Sequence, residues 1–132
     1  MTQENKDLLL KDLCARLPYR VKFLRESWNY EGEQELSVIE VLEDIDKDGY
    51  VNNTKVYNIE DIKPYLRPMS SMTDEEIKEF SVLGVGIHLY KEPLIPSYDT
   101  IDWLNSHHFD YRGLIEKGLA IEVTKENNPY EY

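Results

Sequence analysis

Apolar residues recur at helical spacing near the start of the chain. Leu9, Leu10, Leu13, Cys14 and Leu17 form the pattern, with Lys6, Asp7, Lys11 and Asp12 between them. The spacing predicts a helix over about Glu4–Leu17, stopped by Pro18, because the residue before a proline avoids the helical region. Cys14 falls on the apolar side of that helix and reads as a small core residue. The period then changes to two. Val21 and Phe23 alternate with Arg20, Lys22 and Arg25, and LSVIEVLED is alternating and rich in β-branched residues, so two strands are expected on either side of a turn at Gly32. DKDG supplies a second turn ending in glycine. YVNNTKVYN reads as one longer strand or two short ones. IEDIKPYLRP reads as a single helical or 3₁₀ turn, because Pro64 limits anything longer.

In the second half, SSMTDEEIKEF carries a start signal. Thr73 can cap the backbone N–H three residues on, and Glu76 can reach back to the Thr73 N–H, which predicts a helix over about Asp74–Leu83. VGIHLY reads as extended and is ended by KEPLIPS. YDTIDWLNSHH reads as a helix with Ile101, Trp103 and Leu104 in the core. FDYRGLIEKG reads as another, with Asp110 at its N-cap and Gly118 just past its end. LAIEV is a short closing strand, and TKENNPYEY a polar, frayed tail. The expected fold class is α+β: an N-terminal helix, a small antiparallel sheet with an SH3-like curl, and a C-terminal helical pair. Residues 1–132 form one domain, with a possible seam near 91–97, between Pro93 and Pro96.

Three phrases, LLLKDLCARLPY, IKPYLRPMSSMT and DWLNSHHFDYRGLIEKGLAIE, lie along the full length of the chain. Together they resemble a group of short uncharacterised proteins of Bacteroides-type gut bacteria and their prophages or mobile elements. The resemblance implies a phage or mobile-element accessory protein. It brings no catalytic residue with it, and the acidic segment DIDKDG lies outside all three phrases.

The chain has 132 residues and a net charge of −11 at pH 7. A field of that sign opposes nucleic acid and anionic membranes and leaves basic proteins or cations as partners. The single cysteine fits a reducing compartment, MTQENKDLLLKD has none of the features of a signal peptide, and Phe80–Tyr90, the most apolar stretch, is too short to span a bilayer. A cytoplasmic protein without a cofactor is expected. Lys11, Arg16, Arg20, Lys22 and Arg25 cluster in the first quarter and read as a solvated strand edge, or else as a local cationic patch, the one feature that favours nucleic acid.

Two segments raise the question of chemistry. In DIDKDGYVNN, the residues Asp44, Asp46, Asp48 and Gly49 match loop positions one, three, five and six of an EF-hand. Position twelve, which should be a bidentate glutamate, is Lys55, and the flanks read as strands rather than helices. An acidic hairpin turn is the simpler reading, with a weak calcium site on Asp44, Asp46 and Asp48 as the alternative. In HHFD, His107, His108 and Asp110 are residue types that ligate zinc or carry protons. Adjacent histidines on a helix point about 100° apart, so a helix corner capped by Asp110 competes with a metal-dependent catalytic site. His88 reads as a satisfied core or edge residue. Gly84–Gly86 lacks the rest of a dinucleotide loop, and no serine-hydrolase order or phosphate loop is present. Ten tyrosines and two tryptophans on an acidic protein suit a non-enzymatic interaction module, one form of which is an acidic imitation of DNA. A small metal-dependent enzyme using His107, His108 and Asp110 is the competing class.

Overall fold

The computed structural model describes residues 1–28, 31–53, 58–83 and 98–130. The expected strand in VGIHLY, His88, Gly84–Gly86 and the seam at 91–97 lie outside the described residues.

Helix α1 spans Gln3–Arg16, and its N-cap is Thr2, whose hydroxyl accepts the Asn5 N–H at 3.1 Å. A 3₁₀ turn over Leu17–Tyr19 follows and ends at Arg20 in the left-handed region (φ 56°). The helix is rotated from the expected orientation. The face turned inward is Leu9, Asp12, Leu13 and Arg16, an i, i+3, i+4, i+7 stripe. Cys14 is exposed, not a core residue.

Strand β1 (Lys22–Trp28) pairs antiparallel with β2 (Gln34–Val41), from Lys22↔Val41 to Trp28↔Gln34. Its other neighbour is β3 (Ile62–Pro68), in the register Phe23↔Pro64, Leu24↔Lys63 and Arg25↔Ile62. The segment expected to be a single turn is therefore a 3₁₀ turn, Ile59–Asp61, that leads into a central strand. Burial of Ile62, Tyr65 and Leu66 decides this against the proline. The β1–β3 ladder ends at Phe23↔Pro64, a pair in which the proline nitrogen faces away from β1, so the missing N–H takes no bond from that ladder. Two short strands, β4 (Phe109–Asp110) and β5 (Ile121–Glu122), run parallel to β3. The sheet is thus mixed rather than antiparallel, in the order β2-β1-β3-β4 with β5 also on β3.

Helix α2 is Asp74–Leu83 and α3 is Tyr98–Ser106. The capping box at the start of α2 is present: the Thr73 hydroxyl accepts the Glu76 N–H at 3.1 Å, and Glu76 Oε1 accepts the Thr73 N–H at 2.9 Å. The second helix of the expected C-terminal pair is instead one turn. Asp110 accepts the N–H groups of Leu114 and Ile115, both at 2.9 Å. Leu119 N–H bonds to Leu114 O and Gly118 N–H to Ile115 O, with Gly118 at φ +73°, which closes a Schellman motif. Gly113, at φ +76°, breaks the helical path before the turn begins, so only a single turn over 114–118 forms between the two caps.

The core joins Leu9 and Leu13 of α1 to Val21, Phe23, Leu42, Val51, Ile62 and Leu66 around the sheet, and to Leu114 and Leu119 of the capped turn. The tail is held in place as far as Tyr130. Tyr130 is partly buried against this core, and its hydroxyl accepts the Lys22 N–H at 2.8 Å and donates to Tyr65 O at 2.8 Å. Lys22 and Tyr65 are the next pair in the β1–β3 register beyond Pro64, and the Tyr130 hydroxyl bridges the two backbones there. No helix among the described residues is long and apolar enough to cross a membrane.

Candidate functional site

The histidine corner follows α3. His107 Nδ1 lies 2.9 Å from Trp103 O. A carbonyl only accepts, so Nδ1 is the donor in this contact. The ring stacks on Trp103 (centroids 4.1 Å apart), which also stacks on Phe109 at 5.7 Å. His108 has left-handed backbone (φ 63°) and stacks on Tyr130 at 3.8 Å, the planes within 10°. Burial, and then the charge of Arg16, push the His108 pKa down to about 4, so the ring is neutral at pH 7. Both oxygens of Asp110 are occupied by the backbone of the capped turn. The corner therefore directs its three chemical side chains at three separate partners. His107 and His108 stand beside an open cleft of about 400 Å³, which Arg67, Ser106, Asn128 and Tyr130 also line. Among the described residues, no group of three or more His, Cys, Asp or Glu is placed to hold a metal ion.

Arg67 forms the wall of that cleft. Its guanidinium makes two 2.7 Å bonds to Glu76 and lies 4.2 Å from the Phe109 ring centre. The Arg67 bonds hold the Glu76 carboxyl down at about 2, the backbone and hydroxyl bonds from Thr73 adding to the effect.

The acidic loop is a hairpin. Ile45 pairs with Val51 and Tyr50 with Asn58, both antiparallel. Asp46 Oδ1 accepts the N–H groups of Asp48 (2.9 Å) and Tyr50 (3.0 Å). Asn52 Oδ1 accepts from the Glu43 and Asp44 N–H groups, and its amide donates to Val41 O. Gly49 is at φ +86°, and a Cβ there would meet Ile59 at 3.4 Å. Strand β2, rather than a helix, leads into the loop, so Asp44, Asp46 and Asp48 sit on a turn organised by its own backbone.

The five basic residues do not gather. Lys11 and Arg20 are exposed. Lys22 Nζ donates to Pro129 O at 2.6 Å, and Arg25 Nε pairs with Glu40 at 3.2 Å. Arg16 is fully buried.

Arg16 belongs to a network that local sequence patterns do not assemble. Its Nε bonds to Asp12 Oδ2 and its Nη2 to Phe109 O, both at 2.7 Å. Arg112 donates to Asp12 Oδ1 and to the Tyr111 hydroxyl, each at 2.9 Å, and that hydroxyl donates to Asn105 Oδ1 at 2.8 Å. Tyr111 lies against both guanidiniums. The one visible signal is the Asp12–Arg16 spacing of four on a helix. Its other members come from about 90 residues or more away, and nothing in the sequence places them beside α1.

The remaining feature is the free side of the sheet. β2 is the outermost strand in the sheet order, and among the described residues it pairs with β1 alone. Ile39, opposite Leu24, is 49% exposed. Leu24 and Glu26 line a groove of about 400 Å³ with Glu60, Asp61, Ile62, Lys63 and Ile121. Comparison with known proteins adds nothing to this geometry: no family model, no curated protein and no solved structure matches the chain.

Proposed function

We propose that this chain is a non-enzymatic interaction protein that takes an extended, cationic segment of a protein partner along the outer edge of β2. The observation that carries the reading is that, among the described residues, β2, an eight-residue strand within the acidic segment 31–48, pairs on one side only. An unpaired strand edge offers main-chain donors and acceptors to an added strand. Ile39 and Leu24 supply an apolar strip for alternate side chains of that strand. Glu31, Glu33 and Glu43, all exposed, supply the field that selects a basic partner. The resemblance to prophage and mobile-element proteins supports a setting in which the partner is a host protein, and the single cysteine fits a cytoplasmic one.

The test is a titration of the isotope-labelled protein with a peptide of alternating valine and lysine, followed by amide shifts. Shifts confined to β2 and its flanks are expected, weakened by salt and by Ile39→Lys. Binding that is equal for an alternating valine–glutamate peptide, or shifts that bypass β2, would overturn the proposal.

A further inference from the structure

Two buried side-chain polar atoms have no hydrogen-bond partner among the described residues: Arg16 Nη1 and His108 Nδ1. Each is surprising alone, since buried side-chain polar atoms are nearly always bonded. Together they are complementary. Arg16 Nη1 can only donate. His108 is neutral, so its ring carries one N–H and one lone pair. Their residues are also close in the fold. Arg16 Nη2 bonds to the carbonyl of Phe109, the residue after His108, and the Arg16 charge acts on both rings of the His108–Tyr130 stack.

The charges around this place restrict what can occupy it. A metal ion is opposed by the guanidinium beside it. The guanidinium charge favours the His108 tautomer that turns a lone pair, rather than an N–H, towards it, and an anion has nothing to give that lone pair. A ligand that both accepts and donates suits the two atoms at once. We propose that one internal water molecule bridges Arg16 Nη1 and His108 Nδ1, accepting from the guanidinium and donating to the imidazole. Buried waters of this kind hold otherwise unpaired groups in the interior and are hard to remove. Here the water ties α1 to the left-handed residue on which Tyr130 rests, and so positions the side chain that bridges β1 and β3.

Two measurements on the intact chain test this. Long-range nitrogen–proton correlation at pH 7 reports the tautomer of His108, and the expected result is a proton on Nε2 with Nδ1 accepting. A crystal structure fine enough to show waters is expected to place one between the two atoms, and His108→Phe, which keeps a ring against Tyr130, is expected to lose it. An Nδ1 proton, a direct Arg16–His108 bond, or an anomalous peak at this position after bromide replaces chloride overturns the proposal. Should the Phe variant not fold, the tautomer of the unaltered protein still decides.

Discussion

Asp12 and Arg16, one turn apart on α1, form an ion pair of 2.7 Å in which neither side chain retains any exposure to solvent. Asp12 also accepts from Arg112, so one carboxylate serves two guanidiniums. Removing it leaves buried positive charge without a counterion, a loss of about 3–5 kcal/mol. Asp12→Ala is therefore expected to unfold much of the protein, and urea denaturation measures it. Replacing the pair together, as Asp12→Leu with Arg16→Met, removes both charges and is expected to be far milder than the single change, a strongly non-additive cycle.

Tyr130→Phe deletes the hydroxyl that joins Lys22 N–H to Tyr65 O. The ring and its stack on His108 remain, so the change isolates the two hydrogen bonds. A loss of about 1–3 kcal/mol is expected, because both backbone groups are left unpaired. Hydrogen exchange provides a sharper reading, with the Lys22 amide losing protection before the rest of β1 does.

Glu76 holds two structures at once, the start of α2 and the Arg67 guanidinium. Glu76→Gln keeps the reach to the Thr73 N–H but gives up the charge-assisted pair, and roughly 2 kcal/mol is expected to be lost. The Arg67 side chain over Phe109 then loosens, visible as broadened Phe109 ring resonances.

Acid acts on two groups in different windows. The folded-state pKa of His108 is pushed down to about 4 from 6.5. The unfolded chain thus binds the proton more readily, so the stability that comes from a neutral His108 is complete above 6.5 and is lost as pH falls towards 4. Glu76 is held at about 2 against 4.5, and its contribution is complete above 4.5 and lost as pH falls towards 2. Melting temperature against pH should fall in two stages, and His108→Phe should flatten the upper stage alone.

Where a signal was local, the sequence carried it. Thr73 and Glu76 marked the start of α2, and the structure has both hydrogen bonds. Asp110 and Gly118 marked two caps that exist, although Gly113 leaves room for only one turn between them. Helix α1 was legible as an element but not in its rotation. Counting apolar residues turns Cys14 inward, whereas the partners that make burial of Asp12 and Arg16 tolerable are distant in sequence. Strand β3 was hidden by Pro64, whose tolerance depends on a register that turns its nitrogen away from β1, and no local pattern shows that register. At the histidine corner, residue types suggested convergence. Each side chain instead answers to a neighbour, Trp103, Tyr130 or the Leu114 backbone, that no short motif contains.

The hydroxyl of Tyr130 reaches a strand residue made 108 positions earlier. During synthesis β1, β2 and β3 all leave the ribosome well before it. Until residue 130 is available, the fork between β1 and β3 must be filled by water. Completion of this part of the sheet consequently waits for a segment made well after its strands. A nascent chain stalled before this point would present an open fork to chaperones and proteases.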